Sequence, residues 1–372
     1  MDDLKSLLGV EGWKLTSCDD KIGGLSGASF FRVSLITEKK TFVVKRITKD
    51  KIALSKLLGL PREAIFYKQF GDRLEDVVPK CRCARGDMGS GRKVVVMEDL
   101  KGYVPMGIFF GKGNPNNWDV KNIDELVAAH ENVTVEKLVR NAFSLFSRLH
   151  SQFWCDAKLL RNDWLRGAEW MMGKDRKSWQ SAIDLSVNAW NKLKTSLSSS
   201  KLVWKDHLVD CLNASVKKTS WDAFQLDCKS RSKRWTLVQG DCHPGNVLIN
   251  KHGDSRLIDF EMVGLGSGAQ DLGQFMISHT TPKERRDIEK KVIKDYHNEL
   301  SERLQKRGVN DAGDFDACWR EYIDGGAGRW LWFVPYLADV CPPEVANFFI
   351  AQTDAFLRDH IPDPSKSPAM RV

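Results

Sequence analysis

Three polar residues stand beside short apolar runs in the carboxyl half of the chain. Asp241 and Asn246 flank Pro244 and Gly245 in "GDCHPGN", a sequence that predicts a tight turn holding both side chains on one side of a loop. Further along, Asp259 ends the predicted strand "RLIDF". An amide oxygen and a carboxylate suit Mg²⁺, which would leave Asp241 to orient or deprotonate a hydroxyl. Phosphoryl transfer requires this set of groups.

A lysine in the amino half is a candidate to bind phosphate. Lys45 lies in the predicted strand "FVVKRI", and its side chain would point either into the core or into a cleft. There it would bind the α- and β-phosphates of ATP, with Glu63 of the following helix as its partner. A solvent-facing lysine and a first-turn glutamate stabilised by the helix dipole are the alternatives.

A glycine-rich turn precedes that strand. Gly24, Ser26 and Gly27 are further candidates to bind nucleotide, although "GGLSG" matches neither GxGxxG nor GxxxxGK[ST]. The sequence "GKGN" at 111–114 lacks the Ser or Thr of a phosphate loop, which favours an ordinary turn.

The surrounding pattern predicts two parts. "FFRVSLI" and "TFVVKRI" predict a hairpin, "LPREAIFYKQF" a helix, and Val94 to Met97 a buried strand. Residues 101–131 are rich in Gly, Asn and Pro and predict an inserted loop. A helical period starts at Thr134, and helices predominate from there. We therefore expect an α+β fold with an ATP-binding lobe at 1–99 and a mainly helical catalytic and substrate-binding lobe at 100–372.

Composition narrows the class of protein. The chain has 372 residues, of which 42% are hydrophobic and 28% charged, as in soluble globular proteins. The net charge of +8 is dispersed, so no nucleic-acid partner is expected. Nine cysteines without a CxxC pair predict reduced thiols and no zinc site. The acidic start and the lack of a long apolar run predict neither a secretory signal nor a membrane span, and hence a cytoplasmic protein.

The order of these motifs resembles the bilobal protein-kinase-like fold. The spelling "GDCHPGNVLI" followed by "LIDFEMVGLGSGAQDLGQFM" is similar to the aminoglycoside phosphotransferase and choline kinase superfamily. The ecdysteroid kinase-like branch is especially similar, because it shares "LHSQFW" at 149–154 and the ending at 271–275. The resemblance extends over roughly residues 20–360 and is more specific in the carboxyl half.

The resemblance implies roles for individual residues. Asp241 would be the catalytic base, Asn246 and Asp259 the Mg²⁺ ligands, and Lys45 the phosphate-binding lysine. The backbone from Glu98 to Leu100 would bind adenine, and Asp271 would hold the catalytic loop in place. The implied activity is transfer of the γ-phosphate of ATP to a hydroxyl of a small molecule, such as an amino alcohol or a sterol-like compound.

One departure leaves an alternative open. The family usually has histidine where Gln239 precedes Gly240. Glutamine can also donate and accept hydrogen bonds, so we expect the chemistry to survive. An inactive pseudokinase that serves as a nucleotide-binding scaffold is the alternative. Phosphorylation of proteins is a weaker one, because the interval from Asp259 to Asp271 is too short for an activation loop.

The acceptor site is the least determined part. Glu261, just past the metal aspartate, and Asp324 could face a cationic acceptor. Trp330 and Trp332, with Phe333, could form a cation–π cage, although spacing in "RWLWFVPYL" is more typical of a packed helix face. Gly325 and Gly326 predict that the preceding helix ends beside this cluster. The sequence leaves the oligomeric state open.

Overall fold

A computed structural model describes residues 13–17, 28–35, 39–130, 133–197, 201–231, 234–309 and 312–372. The chain forms two compact units. The first comprises Met1–Tyr103 with Gln239–Asp241 and Arg256–Val263, and the second comprises the rest. The first unit therefore contains two short segments that are distant from it in sequence.

The first unit is built on an antiparallel sheet with the strand order β1-β2-β3-β5-β4. Its strands are β1 (Trp13–Ser17), β2 (Ala28–Leu35), β3 (Lys40–Ile47), β4 (Cys81–Asp87) and β5 (Arg92–Glu98). Val33, Phe42, Val44 and Val96 form one apolar core cluster of this sheet. The predicted hairpin is β2 and β3, and the predicted strand from Val94 to Met97 lies within β5.

Helices α1 (Ile52–Leu58) and α2 (Arg62–Phe70) follow β3. Helix α2 buries Phe66, whose ring stacks on Phe260 with a centroid separation of 3.9 Å. The Leu257 N–H donates to the Val77 carbonyl at 2.8 Å. These contacts fix Arg256–Val263, and with it Asp259, against α2 and the segment that follows it.

The second unit is mainly helical. Its helices are α3 (Ile123–Ala128), α4 (Val135–Gln152), α5 (Ala168–Met171), α6 (Arg176–Leu193), α7 (Asp206–Lys218), α8 (Trp221–Ser230), α9 (Gly268–His279), α10 (Pro282–Lys306), α11 (Phe315–Val340) and α12 (Pro343–His360). The remaining short strands of the chain are β6 (Tyr103–Pro105), β7 (Thr236–Val238), β8 (Val247–Asn250), β9 (Ser255–Leu257) and β10 (Gly264–Gly266). Strands β7 and β10 pair antiparallel.

The segment at 101–131 combines short turns with a little helix. Besides α3 it contains 3₁₀ turns at Met106–Phe110 and Pro115–Asn117. The buried Asn117 side chain donates to the carbonyls of Gly107 and Gly111 at 2.9 and 2.8 Å. The Asn117 amide thus supplies hydrogen-bond donors to backbone carbonyls that lie outside regular helices and strands. The helix expected from Thr134 is α4, and Thr134 caps it by accepting from the Lys137 N–H.

The expected helix end at Gly325 and Gly326 is wrong, because α11 runs through both residues. A Cβ atom on Gly326 would lie 2.9 Å from the Gly273 Cα of α9. A Cβ atom on Gly325 would lie 2.9 Å from the Gln270 Cβ. The two glycines therefore permit close packing of α11 on α9 rather than ending the helix.

The predicted α+β class is confirmed, with a small antiparallel sheet near the amino terminus and a larger helical part after it. Among the residues that the structure describes, no helix combines the length and the apolar character needed to cross a bilayer.

Replacing Gly273 with alanine is expected to destabilise the protein by about 1–3 kcal/mol, because the new methyl group overpacks the α9–α11 contact. It would lie 2.6 Å from the Gly326 Cα and 2.7 Å from the Tyr322 carbonyl oxygen. Urea denaturation gives the free energy of unfolding. Gly113→Ala is the matched control, because nothing lies within 4 Å of a Cβ at that exposed position. Equal stability of the two variants would contradict close packing at Gly273.

Candidate active site

The centre of the candidate site is the buried ammonium of Lys45 on β3. Its Nζ lies 2.9 Å from Glu63 Oε2 and 2.9 Å from Glu261 Oε1. It also donates to Asp259 Oδ1 at 3.1 Å, although 214 positions separate these two residues along the chain. Three carboxylates from two distant segments of the first unit therefore surround one lysine.

The charge of Lys45 is secured by these neighbours. Burial alone lowers the pKa of a lysine, but Asp259, Glu63 and Glu261 raise the pKa of Lys45 well above its usual value. The side chain therefore stays positively charged at neutral pH. Such a fixed cation is suited to a negatively charged ligand.

A second buried lysine, Lys93, belongs to the same cluster and was missed by the sequence reasoning. Its Nζ lies 2.6 Å from Glu63 Oε2 and also donates to Glu261 Oε1. Strand β5 begins at Arg92, before the expected start at Val94. Since Lys45 faces Val95 in the register of β3 and β5, Lys93 lies on the same face of the sheet as Lys45.

Glu261, expected to face the acceptor, lies in this ion cluster instead. Burial and the Asp259 carboxylate raise the pKa of Glu261, while Lys45 and Lys93 oppose that rise. An acceptor would have to compete with two lysines for its carboxylate.

Asp259 differs from the two glutamates in exposure. Its side chain is 30% exposed, against 1% for Glu63 and 7% for Glu261. It lies two residues beyond β9, with a left-handed φ of 62°. Its carboxylate therefore borders solvent while still contacting Lys45.

Gln239 joins the two segments that carry Asp241 and Asp259. Its Nε2 donates to the carbonyls of Ile258 and Asp259 at 3.1 and 2.8 Å. Its Oε1 accepts from the Asp241 N–H at 2.9 Å. Glutamine thus uses both ends of its amide here, as expected of a residue that supports the loop backbone.

Gln239→Ala is expected to cost about 1–3 kcal/mol of stability, because partly buried backbone groups of Asp241, Ile258 and Asp259 would lose their hydrogen-bond partners. Chemical denaturation monitored by tryptophan fluorescence measures this change. Gln239→His is the matched control, since a ring nitrogen can replace part of the bonding. Full stability of the alanine variant would show that the amide does not support the two segments.

The loop after Asp241 is part of the second unit. Pro244–Asn246 form a 3₁₀ turn, and the His243 Nδ1 accepts from the Gly245 N–H at 3.1 Å. The His243 ring stacks on His279, with centroids 5.5 Å apart. Burial, together with His243, lowers the pKa of His279 well below its usual value, so this histidine is neutral. The buried Asn246 closes the turn by donating its N–H to the His243 carbonyl at 2.9 Å.

Asp271, expected to have a structural role, is fully buried in α9. Its Oδ2 lies 3.4 Å from His150 Nε2. The other ring nitrogen of His150 is 2.7 Å from the Tyr296 hydroxyl. Asp271 is thus part of a buried polar chain that links α4, α9 and α10.

The candidates for binding adenine lie at the end of β5. The Glu98 N–H donates to the Lys80 carbonyl at 2.9 Å, and the Glu98 carboxylate accepts from the Lys80 N–H at 2.7 Å. The Leu100 carbonyl accepts from the Tyr103 N–H at 3.2 Å. The other nucleotide candidates, Gly24, Ser26 and Gly27, lie outside the described residues.

The tryptophan candidates on α11 both contact Phe333, whose ring centroid lies 5.7 Å from that of Trp330 and 5.1 Å from that of Trp332. Trp330 and Trp332 are buried, and their indole N–H groups donate to the carbonyls of Gln274 and Ala182. The Arg329 guanidinium lies 5.0 Å from the centroid of the Trp332 ring. These contacts are typical of a packed helix face. Asp324 is exposed on the same helix.

The first unit also contains the only described cluster of carboxylates close enough to share a cation. Oxygens of Glu63, Asp259 and Glu261 lie within 4.8 Å of one another. The ammonium groups of Lys45 and Lys93 already neutralise the two glutamates. Asp259 is the member of this cluster whose carboxylate borders solvent.

Known proteins resemble this chain in part of its sequence and in its structure. Residues 166–309 match the model of the ecdysteroid kinase-like family. No curated protein sequence gives a significant match. The structure is similar to an ethanolamine kinase of Plasmodium vivax, with 13% identity, 94% of this chain and 83% of that chain covered, and a TM-score of 0.47. It is also similar to the choline kinase LicA of Streptococcus pneumoniae, with 11% identity, coverages of 96% and 97%, and a TM-score of 0.46. The resemblance to the ecdysteroid kinase-like family is thus confirmed over residues 166–309, the part of the chain that carries "GDCHPGN" and "IDFE".

Proposed function

We propose that the protein is a kinase that uses ATP and Mg²⁺ to phosphorylate a hydroxyl group of a small molecule. The observation that carries this proposal is the contact of Lys45 with both Glu63 and Asp259. A phosphate-binding lysine needs a carboxylate that orients it, and it must lie beside the carboxylate that holds the metal. Lys45 contacts Glu63, which would orient it, and Asp259, which would hold the metal.

The nucleotide would be bound mainly by the first unit. Lys45 would donate to the α- and β-phosphates, and the backbone from Glu98 to Leu100 would bind adenine. Residues 1–99 would then form the ATP-binding domain. Residues 100–372 would form the catalytic and acceptor-binding domain.

Asp259 and Asn246 would hold Mg²⁺, whose contribution is to neutralise charge on the β- and γ-phosphates. Asp241 would accept the proton of the acceptor hydroxyl while the oxygen of that hydroxyl forms a bond to the γ-phosphorus. The bond between that phosphorus and the bridging oxygen of ADP then breaks. The protein supplies position and charge in this reaction rather than covalent chemistry.

The acceptor is proposed only as a class. The matched family and the motifs favour a hydroxylated small molecule, with amino alcohols and sterol-like compounds among the candidates. The buried positions of Trp330 and Trp332 give no support to an aromatic cage for a quaternary ammonium group. Glu261, which is bound by Lys45 and Lys93, likewise does not favour one acceptor over another.

Nucleotide use can be tested before the acceptor is known. ATP with Mg²⁺ should raise the melting temperature of the protein, because a ligand that binds only the folded state stabilises it. EDTA should weaken this shift, and GTP should produce a smaller one. No shift at millimolar ATP and Mg²⁺ would contradict the proposed function.

A further inference from the structure

A closed ring of alternating charge in the first unit is formed by Lys45, Glu63, Lys93 and Glu261. Glu63 Oε2 lies 2.9 Å from the Lys45 Nζ and 2.6 Å from the Lys93 Nζ. Glu261 Oε1 is likewise shared by both lysines. The Lys93 side chain has no exposed surface, whereas the Lys45 side chain is 4% exposed. Lys93 is thus the inner cation of the ring.

Counting donors shows which contact of Lys45 can be exchanged. An ammonium has three N–H donors, and Lys45 has three carboxylate partners. A phosphate can be bound only if one partner gives up its place. Asp259 is the most exposed of the three, while both glutamates are also bound by Lys93.

We propose that Lys93 is a positioning residue for phosphate binding, an inference that rests on the proposed function. It holds Glu63 and Glu261 in place and partly neutralises their negative charge. Lys45 therefore keeps two fixed partners and turns its third donor from Asp259 to the nucleotide phosphates. Asp259 is released at the same time to hold the metal. Lys93 itself does not touch the nucleotide.

The charges explain why removing Lys93 should impair this exchange. In the present cluster two ammonium groups face three carboxylates. Without Lys93, two buried glutamates would share Lys45 alone and would hold its ammonium more strongly. The cluster would also carry one more negative charge, which repels triphosphate. Binding of adenosine, which has no phosphate, should be unaffected.

Isothermal titration calorimetry with ATP plus Mg²⁺, and separately with adenosine, tests this inference. Lys93→Met is expected to weaken ATP binding by about tenfold or more and adenosine binding by less than about twofold. A residue that merely supports the fold would change both affinities together. Equal ATP affinity of Lys93→Met and the wild type would overturn the inference, as would a parallel loss of ATP and adenosine binding.

A double variant separates charge from shape and carries the test if Lys93→Met does not fold. Lys93→Met combined with Glu261→Gln removes one charge of each sign, so ATP affinity should return to within about threefold of the wild type. ATP affinity as low as that of the single variant, or a tenfold loss where only the double variant folds, would overturn the inference. If the wild type itself binds no ATP, the proposed function fails. If the wild type binds ATP and Lys93→Met binds it equally, only the role of Lys93 fails.

Discussion

Asp241→Asn is expected to lower the rate of phosphate transfer by about a thousandfold, the size of effect expected when a general base is removed. Asparagine has nearly the same shape but cannot accept the proton of the acceptor hydroxyl. The hydrogen bond to Gln239 is made by the backbone N–H at position 241, so this support is retained. ATP affinity should remain within about threefold, because the carboxylate is proposed to act on the acceptor.

Transfer of radiolabelled γ-phosphate to a pool of hydroxylated metabolites measures this effect. Asp254→Asn is the matched control, since Asp254 is an exposed aspartate in the turn after β8. The control should retain full activity. Equal rates in Asp241→Asn and the wild type would remove Asp241 from the proposed mechanism.

The second large effect is expected at Lys45, where methionine should weaken ATP binding by about a hundredfold. Charge-assisted hydrogen bonds contribute about 1.5–3 kcal/mol each, and more than one phosphate oxygen would lose its donor. The variant also leaves Lys93 as the remaining ammonium for Glu63 and Glu261, and it removes the contact between Lys45 and Asp259. We therefore expect a loss of about 3–5 kcal/mol in the free energy of unfolding.

Lys40→Met is the matched control, because Lys40 is an exposed lysine at the start of the same strand. Its ATP affinity and stability should equal those of the wild type. Calorimetric titration with ATP and denaturant unfolding give the two quantities. ATP binding by Lys45→Met within about threefold of the wild type would contradict the role proposed for this lysine.

Short-range patterns in the sequence predicted several elements well. Runs rich in Phe, Val and Ile predicted β2 and β3, the apolar run from Val94 to Met97 predicted β5, and the helical period starting at Thr134 predicted α4. Lys45 and Glu63 were expected to meet, and their charged atoms lie 2.9 Å apart. These features depend on a few neighbouring residues, or on the strand and the helix next to it.

Features that depend on contacts between distant segments could not be predicted from local sequence patterns. Lys93 sits between charged Arg92 and three valines, which is equally typical of a solvent-facing strand end. Only the register of β3 and β5 places it on the face of Lys45. Gly325 and Gly326 predicted a helix end, because glycine commonly ends helices. Their close contact with α9 depends on a segment that is distant in sequence.

The most direct measurement is an untargeted metabolite screen with ATP and Mg²⁺, comparing wild-type protein with Asp241→Asn. We predict that at least one hydroxylated small molecule gains the mass of a single phosphate with the wild type and not with the variant. If ATP binds but no metabolite gains phosphate with either protein, a nucleotide-binding scaffold without transfer activity would replace the kinase proposed here.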